Sequence, residues 1–366
     1  MVGPTPTAPQ TYLQIIEACD NFRLPSPSDS ISERIVPWRL SPDPNAPAIG
    51  LLRPAIVEQL RQENIRRPQV PAWDIREDAV SFAGFLRTAA ERTIIMREMC
   101  MRWRDEGLFP NVIGPKKWRG EMYPVYRNPF GKHDAPTEEQ EEEEVGEAAD
   151  DGPPLRTDEE DGRNYAFMME RAACALFGVV TYGVHLTIYE DDASANGSAS
   201  SCKIWVPTRS RTKQTWPGYL DNSVAGGIPS GLGAFESLVK EAMEEASIEG
   251  RVVEKHAKQT GSVAYFFRTD AGWLQPEVQY IYDMRIPPGA DPEAFRPKPL
   301  DGEVESFELL PLSEVAVRMR TGLFKRNCAL VLVDFMVRHG YLTTENEPNY
   351  LEIVSRLHGQ FEYERW

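Results

Sequence analysis

The stretch Ala225-Gly226-Gly227-Ile228-Pro229-Ser230-Gly231-Leu232-Gly233-Ala234-Phe235-Glu236-Ser237-Leu238-Val239-Lys240-Glu241-Ala242-Met243-Glu244-Glu245-Ala246-Ser247-Ile248 runs a glycine-rich loop straight into an acidic helix. At 100° per residue, Glu241, Glu244 and Glu245 fall at i, i+3 and i+4 and stack three carboxylates along one face. Like charges at that spacing cost a helix a few tenths of a kcal/mol per pair, a cost that a bound divalent cation reverses. The other stripe, Phe235, Leu238, Val239, Ala242 and Ala246, is apolar and suited to burial against a sheet. Hard oxygen donors of this kind suit Mg²⁺ or Mn²⁺, and such ions suit a diphosphate through its own oxygens. The spacing alone fits a solvated acidic helix as well. The loop ahead of it favours the ligand-binding reading, because bare backbone at Gly226 and Gly227 lets a ligand approach closely.

Around this stretch, helices and strands interleave. Val179–Glu190 alternates Tyr182, Val184, Leu186 and Ile188 as a half-buried strand does, and Lys203–Pro207, Ser262–Arg268, Val278–Ile286 and Ser306–Leu312 are further strand candidates. Helices are expected at Tyr165–Leu176, Phe235–Ile248, Leu312–Met319 and Cys328–His339. This is an α/β pattern, an α/β/α sandwich around a mixed sheet. Upstream, helical periodicity at Tyr12–Cys19, Ala55–Gln62 and Ala79–Trp103, punctuated by prolines, predicts a mixed α+β N-terminal domain. The expected organisation is a disordered N-terminus (1–10), an N-terminal domain (11–133), an acidic disordered insertion (134–163), the sandwich domain (164–345) and a C-terminal tail helix (346–366).

Charge and composition narrow the function. The chain has 366 residues and a net charge of −16, of which −13 lies between Asp134 and Asp161, where 14 acidic residues meet one basic residue, Arg156. The remainder is nearly neutral and has no clustered basic surface, which argues against a nucleic-acid partner. No apolar run reaches the roughly 18 residues of a membrane span. Neither a signal-peptide pattern nor paired cysteines is seen, so a cytoplasmic protein is expected. Cys19, Cys100, Cys174, Cys202 and Cys328, and His133, His185, His256, His339 and His358, are dispersed without zinc-ligand spacing.

The loop and helix resemble the box of the Nudix hydrolase family, with Lys240 where that box has Arg, Ser247 where it has Gly, and Leu232 where it has an earlier Glu. Glu236 is the nearest substitute for that carboxylate, on the opposite side of the helix. Trp205 to Asp221, Asp301-Gly302-Glu303-Val304-Glu305-Ser306-Phe307, Phe324 to Val331 and His339-Gly340-Tyr341 resemble a fungal and plant Nudix subgroup related to thiamine metabolism. Ile49-Gly50-Leu51-Leu52 and Trp118-Arg119-Gly120-Glu121 resemble that subgroup's leading domain. A prenyl diphosphate isomerase shares part of the pattern but needs a Cys and a metal-binding His where this chain reads Asn222-Ser223-Val224-Ala225-Gly226-Gly227.

The resemblance implies a Nudix sandwich that cleaves a small-molecule diphosphate, in thiamine diphosphate or its oxidised oxy and oxo forms. The alternatives are an ADP-ribose or other ADP-linked hydrolase and a non-catalytic module on the same fold. It further implies Mg²⁺ or Mn²⁺ on Glu241, Glu244 and Glu245, with Glu245 or Glu303 as the base; Glu303 equally fits a solvated loop acid. Arg209 and Lys213 fit a diphosphate clamp or ordinary surface cations. Trp205, Trp216 and Tyr219 fit stacking on a heterocycle or core packing.

Overall fold

The computed structural model describes residues 3–23, 33–134, 162–191 and 202–361. The acidic insertion expected over 134–163 lies, apart from its ends, outside the described residues. The strands are β1 (Val36–Arg39), β2 (Ala48–Leu52), β3 (Trp73–Ile75), β4 (Val80–Phe82), β5 (Met122–Tyr126), β6 (Tyr165–Glu170), β7 (Thr181–Asp191), β8 (Cys202–Arg209), β9 (Val224–Gly227), β10 (Lys258–Arg268), β11 (Leu274–Arg285) and β12 (Val304–Pro311).

The large sheet runs β10-β11-β7-β8-β12, with β9 paired to β7. Only the β11–β7 pairing is parallel, so the sheet is mixed, as the interleaved pattern predicts. Its two faces are covered by different helices. On one side Leu238, Ala242 and Ala246 of the acidic helix (Ala234–Ala246) join Val184, Leu186 and Ile188 of β7 in one core. On the other side Leu330, Val331 and Phe335 of helix Arg326–Arg338 pack with Ile204 and Val206 of β8. Each fully buried side chain of this size contributes about 1.5–3 kcal/mol. The result is an α/β/α sandwich.

The expected domain boundaries cut across the cores. Helix Tyr12–Cys19 starts at a Thr11/Gln14 capping box and buries Ile15, Ile16 and Cys19 in the sandwich core, beside Ile353 and Leu357 of the C-terminal helix Tyr350–Leu357. Residues 3–10, expected to be disordered, contain neither helix nor strand, yet Thr7 and Gln10 donate backbone hydrogen bonds to the carbonyls of Thr321 and Arg320 at 2.9 and 2.8 Å.

The N-terminal core, in turn, reaches forward to Val179. Its aromatic centre is Trp38, with ring centroids 5.3 Å from Phe82, 5.6 Å from Phe167 and 5.1 Å from Phe177.

Two helix expectations change. Tyr165–Leu176 is not one helix: Tyr165–Glu170 is strand β6, paired antiparallel with β5, and short helical turns follow at Arg171–Ala173 and Cys174–Phe177. The aromatic and Met residues there satisfy a strand partner some 40 residues upstream, which local periodicity does not register. Ala79–Trp103 divides into strand β4 and a helix over Ala89–Asp105. A Thr88/Glu91 capping box marks that helix's start, and Ile94 is exposed.

Candidate active site

Strand β9 brings the glycines to the sheet, pairing Gly226 with Val184 and Gly227 with Gly183. The chain then loops into the acidic helix, whose first turn is closed by Glu236: its Oε2 accepts from the Gly233 N–H at 2.9 Å. Glu236 therefore caps the helix and does not stand in for the missing carboxylate at Leu232. Phe235, expected in the buried stripe, is partly exposed.

The three carboxylates of the helix reach three depths. Glu245 is buried, Glu241 half-buried and Glu244 exposed. Glu245 Oε2 faces the Ala225 N–H at 3.4 Å, and its Oε1 lies 3.8 Å from Lys213 Nζ. Glu241 lies so close along β9 that a Cβ on Gly226 would sit 2.3 Å from its Cγ and Cδ. A Cβ on Gly227 would strike the Tyr123 hydroxyl. Both glycines are therefore required by close approach within the protein.

Burial, with Glu244 next in effect, pushes the Glu241 carboxyl up to about 7. Burial, with Asp221 and Glu241 adding to it, pushes Glu245 up to about 7 against the pull of Lys213.

These groups line one cavity of about 750 Å³. Of the residues singled out in the sequence, Glu241, Glu244, Glu245, Glu303, Arg209, Lys213, Trp216, Gly226 and Gly227 border it, whereas Trp205 and Tyr219 do not. Trp205 packs against the core beneath the sheet, and Tyr219 meets Trp216 edge-on at 4.9 Å. Lys213 pairs with the Glu303 carboxylate, and the Ser210 N–H donates to the Glu303 carbonyl at 2.8 Å, so the two loops close together over Glu245.

Arg209 departs from the clamp expectation. It is buried; Nη1 donates to Asp221 at 2.5 Å, and Nε and Nη2 donate to the Trp216 and Thr215 carbonyls at 3.2 and 3.1 Å. Its guanidinium fastens the 210–220 loop. Burial would raise the Asp221 carboxyl, but Lys325 and Arg209 overcome this and hold it well below the usual carboxylate range.

Several residues around the cavity were not read from the sequence. Lys325 borders it beside buried His185, whose Nδ1 lies 2.7 Å from Asn222 Oδ1 and whose pKa burial lowers to about 4. Lys117, Arg119 and Tyr123 reach it from the N-terminal part. Buried Glu170 holds the Arg119 turn in place, accepting from the Arg119 and Gly120 N–H groups at 2.9 and 3.1 Å. Burial, with Arg171 next, lowers the Arg119 pKa. Only the Trp118 to Glu121 resemblance marked this segment, and it carried no role.

Over 201 residues, 52% of this chain, the sequence is 46% identical to the uncharacterized protein YJR142W of Saccharomyces cerevisiae, covering 56% of that protein. Over 192 residues it is 41% identical to Nudix hydrolase 20, chloroplastic, of Arabidopsis thaliana, covering 48% of it. It is 39% identical to Nudix hydrolase 24, chloroplastic, of the same plant, covering 49% of it. The sandwich is a Nudix fold. The chain spans about half the length of these relatives. No family model matches it. Among solved structures it is similar to the DR0079 protein of Deinococcus radiodurans, with TM-score 0.30, 22% identity, and coverage of 41% of this chain and 80% of that one. It is also similar to an Ap4A hydrolase of C. elegans, with TM-score 0.31, 12% identity, and coverage of 44% and 99%.

The helix departs from the box it resembles at Ser247 and Lys240. Ser247 stands where the box has glycine and takes the left-handed conformation, φ 54°, that glycine favours. Its hydroxyl donates to the Lys298 carbonyl at 2.9 Å, offsetting part of the strain. Lys240 lies 3.8 Å from Glu244 on the exposed face.

The donor set suits a divalent cation by its chemistry. Glu241 and Glu245 are hard oxygen donors, set one helical turn apart and unfavourable as bare anions at their depth. Among the described residues no three acidic, His or Cys side chains converge into a formed metal centre. The Lys213 ammonium instead lies beside Glu245.

Proposed function

We propose that this chain is a metal-dependent Nudix hydrolase that cleaves the diphosphate of thiamine diphosphate, or of its oxidised oxy and oxo forms, to the monophosphate and phosphate. The observation that carries this reading is one cavity whose walls join buried carboxylates of the acidic helix to cations from three separate segments, Lys213, Lys325 and Arg119. At about 750 Å³ it has the size of a small-molecule site.

In this reading Glu241, Glu244 and Glu245 hold Mg²⁺ or Mn²⁺. A bound divalent cation supplies polarisation of a phosphoryl oxygen and a more acidic water. Lys213, Lys325 and Arg119 bind the diphosphate oxygens as charged donors. Trp216, with the Arg326 guanidinium 5.5 Å from its ring centroid, offers a flat face beside them. Glu245, the buried carboxylate of the set, with its Oε1 3.8 Å from Lys213 Nζ, takes the proton of the attacking water. Glu303, tied to Lys213, positions that ammonium. The resemblance to the thiamine-related subgroup supports the choice of substrate. Five cysteines buried as free thiols agree with a reducing compartment such as the cytoplasm.

The test is product analysis with the purified full chain, with and without Mg²⁺, on thiamine diphosphate, its oxy and oxo forms, and ADP-ribose. Stoichiometric monophosphate and inorganic phosphate from a thiamine form, lost on chelation, is the expected result. Cleavage of ADP-ribose alone transfers the reading to ADP-linked compounds, and binding without cleavage of any of them makes the chain a non-catalytic module.

A further inference from the structure

A second polar group lines the same cavity, on neighbouring strands β10 and β11. The Tyr265 hydroxyl donates to Glu277 Oε2 at 2.5 Å, and Gln279 Nε2 lies 2.8 Å from the same oxygen and 3.0 Å from the Tyr265 hydroxyl. Tyr265 and Gln279 are buried, and all three residues border the cavity. One carboxylate oxygen is thus held by two donors from the protein, while among the described residues no side chain donates to Oε1.

Gln279 is itself constrained: a Cβ on Gly183 would sit 2.2 Å from its Oε1, so the strand gives way only because that residue is glycine. None of these three takes part in the hydrolytic roles assigned above. A half-buried carboxylate braced in this manner at a cavity wall recognises an N–H donor in a dry setting, where leaving either partner unmatched is costly.

We propose that Glu277, braced by Tyr265 and Gln279, is the specificity-determining residue of the site and accepts a hydrogen bond from an amino-substituted nitrogen heterocycle attached to the diphosphate. Tyr265 and Gln279 are positioning residues. The proposal rests on the diphosphate-hydrolase reading for the location of the remaining substrate, and its test separates the two.

The experiment compares wild type with Glu277→Gln and the isosteric Tyr265→Phe, in the full chain, by kinetics and by calorimetry. With thiamine diphosphate, whose pyrimidine carries an amino group, Glu277→Gln should raise KM about tenfold or more with kcat changed less than threefold. For the counterpart with a carbonyl in place of that amine, the loss should be smaller, because an amide offers the carbonyl a donor. The ratio of kcat/KM for the carbonyl form over the amino form should therefore rise about tenfold. Tyr265→Phe should raise KM for the amino form about threefold and keep the substrate order, which keeps the test open if Glu277→Gln does not fold.

Calorimetric titration with thiamine itself, which has the ring and no diphosphate, needs no turnover. Binding that weakens about tenfold in Glu277→Gln supports the proposal even if no diphosphate is cleaved. An unchanged substrate ratio in Glu277→Gln, or thiamine binding that is equal in the variants or undetectable in wild type, overturns it while leaving the hydrolytic reading untouched.

Discussion

Gly226 shows how a single missing methyl group sets the position of a cavity carboxylate. The Glu241 side chain occupies the space that a Cβ would take, so Gly226→Ala must displace a flexible carboxylate and leaves the backbone in place. The expected outcome is a melting temperature within a few degrees of wild type and turnover at least about tenfold lower, read by phosphate release alongside thermal melting. Wild-type turnover would show that the position of Glu241 is immaterial. Ser247 poses the opposite problem, a side chain in a conformation that glycine holds more cheaply. Ser247→Ala keeps the strain and loses the bond to the Lys298 carbonyl, costing about 1 kcal/mol. Ser247→Gly loses the same bond but relieves the strain, and should lie within about 0.5 kcal/mol of wild type. Denaturant titration distinguishes the two, and equal destabilisation by both would remove the strain argument. At this scale the sequence was legible wherever a residue's neighbours in the chain were also its neighbours in space, as for Glu241 and Glu245. Arg209 reads as a free cation because nothing local reveals that Asp221, twelve residues on, and two loop carbonyls take its donors. Trp205 and Trp216 look alike as aromatics beside a strand, yet only Trp216 borders the cavity.

The acidic helix is where charge and burial meet, and it carries the predictions on pH and turnover. Its Glu241 and Glu245 carboxyls lie at about 7 in the folded protein, above the ordinary 4.5. A raised folded-state pKa means that the native state holds these protons more tightly than the unfolded chain does. Their stabilising effect is complete below about pH 4.5 and is lost as pH rises through about 7. Metal-free protein should therefore melt at a lower temperature at pH 8 than at pH 5. Glu241→Gln should reduce that difference by raising the pH 8 value, and Mg²⁺ should raise the wild-type value at pH 8 more than that of the variant. An identical pH dependence in Glu241→Gln would contradict the burial argument. Either Glu244→Gln or Glu245→Gln should lower turnover about a hundredfold or more with the fold intact, and wild-type rates in either at saturating Mg²⁺ would remove that carboxylate from the chemistry. The helix and strands β7, β8 and β10 to β12 were legible because period and burial agree within each segment. Strand β6 was not, because its partner β5 comes from the other side of the acidic insertion and supplies the hydrogen bonds that make it a strand.

On the scale of the whole molecule, the two halves share cores in both directions. Helix Tyr12–Cys19 completes the sandwich, while Phe167, Phe177 and Val179 complete the N-terminal core around Trp38. A fragment of residues 164–361 would expose Phe167 and Phe177 and lose the covering helix. It should show no cooperative thermal transition, and a fragment that melts cooperatively and is active would refute this interdependence. The N-terminal part also reaches the cavity through Arg119, so Arg119→Ala should raise KM for a diphosphate about tenfold with little change in melting temperature. An unchanged KM would confine substrate binding to the sandwich half. Composition and periodicity made the sandwich readable but not this interleaving, because no local signal records which core a segment joins. The most direct test of the central claim is a side-by-side measurement of kcat/KM with Mg²⁺ for oxidised thiamine diphosphate and ADP-ribose. The predicted result is a higher value for the thiamine compound, with the monophosphate and inorganic phosphate as products. Cleavage of ADP-ribose ten times more efficiently than of every thiamine diphosphate form would contradict it.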